Sequence, residues 1–377
     1  MLRKPLDLPQ LVYSLLALVA LCFLNLVEVK PNRIAAGELY RAQALLGEPM
    51  MIFVMGFLLL AMLSVGFTKK KALFSGVFAP VLFLFLLYRI SEKALVFGSQ
   101  GSAIRVSFSL GFYGLLLMVY LLVGHALEKI TRHQGLLYGV LLLLLLVGLF
   151  LLYRGQFEAF SIMKEFQNKR EQFFASLQTH LFLALFSVML GTLLAVPLGY
   201  VAHSKKQLEG AVMVPLSILE TIPSLSLFGI LLVPLSRLGQ LPFFRALGVS
   251  GIGWAPAVVA LTLYSLLPIG RNTLVGFASV DQSVVEAAEG MGMTGGQIFR
   301  KIQLPLALPI ILAGIRIALV QTLGGAVLAG LVGGGGLGTF VFLGLAEGSS
   351  DLVLLGVMPI VIMTLLLDGS LKGLTEN

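Results

Sequence analysis

Cysteine and charge are both scarce in this sequence of 377 residues. The single cysteine, Cys22, excludes a disulfide framework and any metal site built from several cysteines. Only 12% of the residues are charged and 58% are hydrophobic, whereas soluble domains carry about 25% charged residues. Together with a mean hydropathy of +0.99, this composition excludes a soluble globular enzyme, a disordered protein and a fibre. We expect an all-α membrane protein, because lipid supplies no water to satisfy open backbone groups.

Catalytic and metal-binding patterns are also missing. The four histidines are scattered, no H-E-x-x-H motif occurs, and no Ser/His/Asp group is clustered. We therefore predict no catalytic residues and no metal site. The P-loop pattern G-x-x-x-x-G-K-[ST] does not occur either. The chain is expected to carry no cofactor, and ATP is expected to be used by a partner subunit.

Long apolar runs fill most of the chain and predict about ten transmembrane helices. They are residues 11–27, 50–67, 72–88, 106–123, 136–153, 173–201, 211–235, 252–270, 306–332 and 352–367. The first is expected to be an uncleaved helix, because no small-x-small cleavage site follows it. The net charge of +8 is assigned to short loops that orient these helices, and no nucleic acid is expected as a partner.

Lysine and arginine are shared almost evenly between the two sides of the predicted topology. The compact clusters Lys69-Lys70-Lys71 and Lys205-Lys206 fall inside when the N-terminus is inside. We therefore expect a multi-pass membrane protein with both termini in the cytoplasm.

The stretch 154–172 changes the composition in the middle of the chain. It separates five apolar runs in residues 1–153 from five in residues 173–370. Two interpretations of this stretch are open. Phe157 and Phe160 among charges suit a short helix in the membrane interface, and a solvated linker is equally compatible. We predict a five-helix N-terminal extension, a linker and a five-helix core.

Residues 271–305 form the longest hydrophilic interruption of the second half. Ser283 and Glu286 have the spacing of a capping box, in which each side chain bonds the backbone of the other residue. This pattern predicts a helix that starts at Val284.

Gly290 and Gly292 are expected to end that helix, because glycine readily adopts the left-handed conformation at a helix C-terminus. Thr294 and Gln297 form a second capping box, which predicts another helix running towards Gln303. The predicted arrangement is helix, glycine turn, helix. A short amphipathic helix of this kind can lie in a groove on a partner protein.

The spacing of this loop resembles the EAA motif of ABC importer permeases. The matching positions are Glu286, Ala287, Ala288, Gly292, Ile302, Leu304 and Pro305. In that family the loop is cytosolic and forms the coupling helix that docks into the ATP-hydrolysing subunit. The resemblance implies that the first four of these residues dock an ABC ATPase subunit.

The second half of the chain, residues 173–370, resembles the osmoprotectant branch of these permeases. The segments TIPSLSLFGILLVPL (221–235) and AGLVGGGGLG (329–338) are among those that carry the likeness. The resemblance implies a type I ABC importer permease core in the bacterial inner membrane that moves glycine betaine, choline or a related solute. The N-terminal half is similar to the extension of the longer, YehY-like permeases.

The same resemblance implies several partners. They are the ABC ATPase subunit, an extracytoplasmic solute-binding protein, a second permease subunit (itself or a paralogue) and membrane lipid. Aromatic cages hold quaternary ammonium groups best, and the chain has one tryptophan, Trp254. Selectivity is therefore expected to reside mainly in the binding protein.

Other functions remain open at this point. An importer of an amino acid such as methionine shares the five-helix core and the motif. A secondary transporter would carry ionisable residues in several membrane helices, whereas the predicted core has two. A membrane-embedded enzyme has no clustered catalytic residues to support it.

Those two charges are Glu220 and Arg316, each about ten residues into its apolar run and so roughly 15 Å deep. Either they form an ion pair, or each finds its own polar partner. Next to Glu220, the residues Thr221, Pro223 and Ser224 predict either an unwound helix or a simple kink. We assign these five residues to a candidate translocation path.

Overall fold

The computed structural model of the chain describes residues 7–33, 35–47, 51, 70–101, 103–129 and 134–375. The chain divides into two compact units, Met1–Asn168 and Lys169–Asn377. The predicted apolar run 50–67 lies outside the described residues except for Met51.

Helices and a small sheet build the first unit. In order, its described elements are α1 (Leu8–Phe23), β1 (Asn25–Lys30), β2 (Glu38–Arg41), α2 (Ala42–Leu46), α3 (Lys70–Ser99), β3 (Arg105–Phe108), α4 (Leu110–Lys129), α5 (Gln134–Tyr153) and α6 (Ser161–Asn168). The strands form one antiparallel sheet in the order β2-β1-β3.

The first helix is shorter than the predicted run 11–27, because the chain becomes extended at Leu24 and enters β1. Leu26 and Val27 are fully buried in the strand. Val27 pairs with Phe108 of β3. The sequence did not predict this sheet. Apolar strand residues that directly follow an apolar helix extend the same hydrophobic run, so the run alone does not show where the helix ends.

The sheet and a cluster of charged side chains lie at opposite ends of α4. The sheet precedes α4, and Phe160 joins it through a bridge to Val106. At the far end of α4, Nε2 of His125 lies 2.9 Å from Oδ1 of Asp7, and Lys129 also pairs with that carboxylate. A helix of 20 residues is about 30 Å long, the thickness of the hydrocarbon core. If α4 spans the membrane, the sheet therefore lies at one membrane surface, and Asp7, His125 and Lys129 lie at the other.

The segment after α5 packs into the first unit. Phe160 is buried, and its ring centroid lies 4.5 Å from that of Phe108. In α6, Lys164 donates a hydrogen bond to the carbonyl of Ile104 at 2.9 Å. Burial, with a smaller contribution from Arg105, lowers the pKa of Lys164. These contacts make residues 160–168 part of the folded unit.

Helices build the described part of the second unit. They are α7 (Arg170–Ser204), α8 (Lys206–Thr221), α9 (Ser224–Leu238), α10 (Pro242–Ala246), α11 (Trp254–Ala278), α12 (Gln282–Gly290), α13 (Gly295–Ile298), a π-helix (Phe299–Gln303), α14 (Leu304–Gly325), a 3-10 helix (Ala326–Val332), α15 (Gly338–Ala346) and α16 (Ser350–Thr375).

Seven helical segments of the described chain are long and apolar enough to cross a membrane. They are Phe74–Ser99, Leu110–Lys129, Gly135–Tyr153, Arg170–Ser204, Trp254–Ala278, Gly295–Val332 and Ser350–Gly373. The helices α8 and α9 would make an eighth span if they are counted together, although they are bent by 105°. The α1 helix, with 16 residues, is shorter. This architecture agrees with the prediction of a helical membrane protein with about ten spans.

The core of the second unit forms where α7, α11 and α14 pack together, and small residues allow α7 to approach α11 closely. A Cβ atom at Gly199 would lie 2.5 Å from the carbonyl oxygen of Gly270 and 2.7 Å from Cβ of Thr273. At Gly191 it would lie 1.8 Å from Oγ of Ser265. Neither position has room for a side chain larger than hydrogen.

This packing predicts that Gly199→Ala lowers the melting temperature of the purified chain, by an overpacking cost of about 1–3 kcal/mol. Gly210→Ala in α8 is the matched control, since no atom lies within 4 Å of a Cβ there. Alanine favours a helix more than glycine does, so the control should melt at the same or a higher temperature. Equal melting temperatures for the two variants would show that α7 and α11 are not in close contact.

Candidate functional site

The loop between α11 and α14 begins with a capped helix. Oδ1 of Asp281 accepts a hydrogen bond from the backbone N–H of Ser283 at 2.9 Å, and α12 starts at Gln282. This bond, together with one from the Ser283 side chain, lowers the pKa of the Asp281 carboxyl. The predicted start at Val284 with a Ser283–Glu286 capping box is therefore wrong. An ionised carboxylate makes the stronger, charge-assisted cap, and it is also favoured by the positive end of the helix dipole.

A glycine turn ends this helix, as the sequence predicts. Gly290 is the last helical residue, and Gly292 adopts the left-handed conformation with φ +80°. The N–H of Gly292 donates to the carbonyl of Glu289 at 2.9 Å, and that of Met293 donates to Ala288 at 3.1 Å. These two bonds form a Schellman motif. No atom lies within 4 Å of a Cβ at Gly292, so backbone conformation and not crowding requires the glycine.

The second predicted capping box is confirmed. The N–H of Thr294 donates to Oε1 of Gln297 at 2.8 Å, and the Thr294 side chain bonds the Gln297 backbone in return. The helix that follows has four α-helical residues and then continues as the π-helix Phe299–Gln303. A π-helix is rare, and it is frequently found at functional sites.

A small apolar core holds the loop together. Val285, Ala288 and Ile298 are buried in it, with Ile302 packed against them. Ala288 therefore packs inside the loop in this structure, whereas the motif residues Glu286, Ala287, Gly292 and Pro305 are exposed. Leu304, the first residue of α14, packs against Phe277 of α11.

Aromatic rings connect the loop to two membrane helices. The ring centroid of Phe299 lies 5.0 Å from that of Tyr200 in α7 and 5.8 Å from that of Phe277 in α11. Tyr200 and Phe277 are themselves 4.9 Å apart. The loop is therefore in contact with α7 and α11 and is continuous with α14.

The second part of the candidate site is the break between α8 and α9. The chain leaves the helix after Thr221, and Pro223 caps the next helix, which starts at Ser224. The hydroxyl of Tyr264 donates a hydrogen bond to the carbonyl of Ile222 at 2.7 Å. Of the two interpretations from the sequence, the structure therefore shows the unwound helix.

A cavity of about 370 Å³ lies at this break. Its lining comprises Glu220, Thr221, Ile222, Pro223, Ser224, Leu261, Tyr264, Gln321, Thr322 and Gly325. Four of the five residues assigned to the translocation path thus meet at one cavity. Its carboxylate, its hydroxyl groups and the tyrosine ring suit a small polar or cationic molecule.

The fifth residue, Arg316, lies elsewhere. Its Nε donates to Oδ1 of Asp368 at 2.6 Å and its Nη2 to Oδ2 at 2.8 Å. Of the two alternatives for these charges, the structure therefore gives Arg316 its own partner, Asp368 on α16. Asp368 follows directly after the predicted run 352–367, but α16 continues to Thr375 and brings this carboxylate beside α14. The position of Asp368 at the edge of that apolar run was the only feature of the sequence that could have indicated it as a partner for Arg316.

The Schellman motif predicts a clear difference between two variants of Gly292. Gly292→Val should lose about 1–2 kcal/mol of local stability, because a left-handed conformation is costly for L-residues and worst for β-branched ones. Hydrogen exchange of the Met293 amide should then be about 5–30-fold faster. Gly292→Asn is the control, since asparagine tolerates this conformation. Equal protection of the Met293 amide in both variants would contradict the motif.

Family models match both halves of the chain. The family model described as "Binding-protein-dependent transport system inner membrane component" matches residues 187–375. The model described as "ABC transporter permease YehY, N-terminal domain" matches residues 7–163.

Individual relatives and one solved structure are also similar. The glycine betaine/carnitine/choline transport system permease protein OpuCB of Bacillus subtilis is 40% identical over 50% of this chain and 80% of its own length. The osmoprotectant import permease protein OsmW of Salmonella typhimurium is 37% identical over 52% of this chain and 86% of its own. An inward-facing MetNI methionine ABC transporter aligns over 55% of this chain and 97% of that chain, at 24% identity and a TM-score of 0.48.

The half of the chain that contains the exposed loop and the helix break is the half that the transport-component model matches. The chain is thus a multi-pass membrane protein that belongs to the family of binding-protein-dependent ABC transport permeases, and its N-terminal region is of the YehY type.

Proposed function

We propose that this chain is the permease subunit of an ATP-driven importer for an osmoprotectant such as glycine betaine or choline. The names of OpuCB and OsmW support the solute class. The exposed helix α12, closed by the Gly292 turn and joined by Phe299 to the membrane helices, supports the coupling to ATP. This loop is the observation that carries the proposal.

In this function the chain is not itself an enzyme and holds no cofactor. Its sequence has no P-loop, so a separate ABC ATPase subunit hydrolyses ATP and receives the exposed residues Glu286, Ala287 and Gly292. Ala288, Ile302, Leu304 and Pro305 support that helix from within the loop and at the start of α14. A solute-binding protein delivers the solute from outside the cell. A second permease subunit, identical or paralogous, completes the path.

The coupling loop faces the cytosol, where ATP is available. The helix α14 leads away from the loop and α16 returns, so the C-terminus is cytoplasmic. In the first unit, the end that carries Asp7, His125 and Lys129 faces the cytoplasm with the N-terminus. Positive side chains favour that side of the membrane.

Solute crosses by way of the cavity at the helix break. The Glu220 carboxylate attracts the quaternary ammonium group that glycine betaine and choline share, and the Tyr264 ring offers a cation–π contact. Thr221, Pro223 and Ser224 keep the chain unwound at this point. Half-helix ends at a break of this kind line substrate sites in other transporters.

A reconstituted system tests the proposal. The full chain, its ATPase and its binding protein in proteoliposomes should take up labelled glycine betaine or choline only with ATP, and should not take up methionine. Uptake of methionine alone would show that the solute class is wrong.

The coupling residues are tested in the same system. Gly292→Val should insert into the membrane at normal levels but lose bound ATPase and most of the uptake, whereas Gly292→Asn should keep both. Normal uptake by Gly292→Val would contradict the assignment of this loop to coupling.

The first unit is proposed to be accessory to transport. The second unit contains the candidate coupling loop and the cavity and begins at Lys169. A chain that starts at Lys169 should therefore insert and bind the ATPase. A chain that starts at Phe157 would also contain α6, whose Lys164 bonds Ile104 of the first unit, so α6 would lack its packing partner. Failure of the shorter chain to fold, while the full chain folds, would show that the two units are one.

A further inference from the structure

A second cavity lies on the same helix as the first. It measures about 310 Å³, and its lining comprises Ala313, Arg316, Ile317, Val320, Gln321 and Asp368. Gln321 lines both cavities. Arg316 lies five residues from Gln321 along α14, which corresponds to about 7.5 Å. A polar side chain therefore connects the cavity at the helix break with a cavity that contains an ion pair.

The two cavities differ in charge. Glu220 places a single carboxylate in the first cavity, whereas Arg316 and Asp368 place one charge of each sign in the second. The side chains of Arg316 and Asp368 are 21% and 39% exposed, so both remain accessible at the edge of the cavity. A neutral pair repels a simple cation with one end as much as it attracts it with the other. A zwitterion can lie antiparallel to the pair and gain at both ends.

Packing next to the pair does not require the charges. Leu367 and Leu371 flank Asp368 on α16 and pack against the apolar cluster that contains Ala318 and Leu319 of α14. These contacts hold the two helices together by apolar burial. Replacing both charged groups by neutral amides therefore removes the electrostatic feature and leaves the leucine contacts between the helices, since no charge is left unpaired.

We propose that the Arg316–Asp368 pair is a second solute site, specific for zwitterionic quaternary ammonium carboxylates. This proposal rests on the proposed function. Arg316 binds the carboxylate of the solute and Asp368 lies against its ammonium group. The site at Glu220 accepts any quaternary ammonium compound, so the ion pair distinguishes glycine betaine, which has a carboxylate, from choline, which has none.

The test compares the two solutes in the full reconstituted complex at saturating loaded binding protein. Under these conditions the maximal rate reports the path and not capture by the binding protein. The double variant Arg316→Gln with Asp368→Asn should slow glycine betaine about tenfold relative to choline, as expected for the loss of a hydrogen bond to a charged group. Choline transport by the same protein shows that it is folded. Glu220→Gln is the contrast, and it should slow both solutes.

Arg316→Lys provides a second variant that keeps the positive charge and the ion pair but loses the planar fork of the guanidinium. It should shift the ratio in the same direction by a smaller factor. Equal slowing of both solutes by the double variant, or an unchanged ratio in both variants, overturns the proposal and assigns the pair a structural role. A wild-type complex that moves neither solute contradicts the proposed function itself.

Discussion

The structure depends on one constraint: in lipid, every backbone N–H and C=O group needs a partner within the protein. A broken membrane helix is tolerated where other groups of the protein supply those partners. At the break between α8 and α9, the hydroxyl of Tyr264 donates a hydrogen bond to the carbonyl of Ile222. The backbone N–H of Leu227 donates to the carbonyl of Pro223. Ile222, Pro223 and Tyr264 also line the cavity at the break, so residues that satisfy the backbone here also form the cavity wall.

Features that depend on near neighbours in the sequence were predictable. Apolar runs indicated the membrane helices, because length and hydropathy decide insertion. The turn at Gly292 and the capping box at Thr294 follow from conformational rules that act over two to four residues. At Pro223 the sequence indicated an irregular helix but left open whether the helix kinks or unwinds. The docking role of Glu286 and Ala287 concerns a partner and stays a prediction.

Features that depend on competition or on distant residues were not predictable in the same way. Asp281 and Ser283 are both good N-terminal caps, and spacing alone favoured the wrong one. The strand β1 continues the apolar run of α1, so hydropathy cannot separate them. Asp368 pairs with Arg316 across 52 positions of sequence. A contact of that range is fixed by helix packing, which a single sequence does not reveal.

The small sheet of the first unit constrains how this protein is assembled during synthesis. The strands β1 and β2 are close in sequence, but β3 follows them only after α3 has been made. The edge of β1 that pairs with β3 therefore stays unpaired until Arg105–Phe108 has been synthesised, and Phe160, which bridges to Val106, is made later still. Pairing over such a distance in sequence is slow. The completed sheet therefore forms late, after α3 and the segment up to Phe160 have been made.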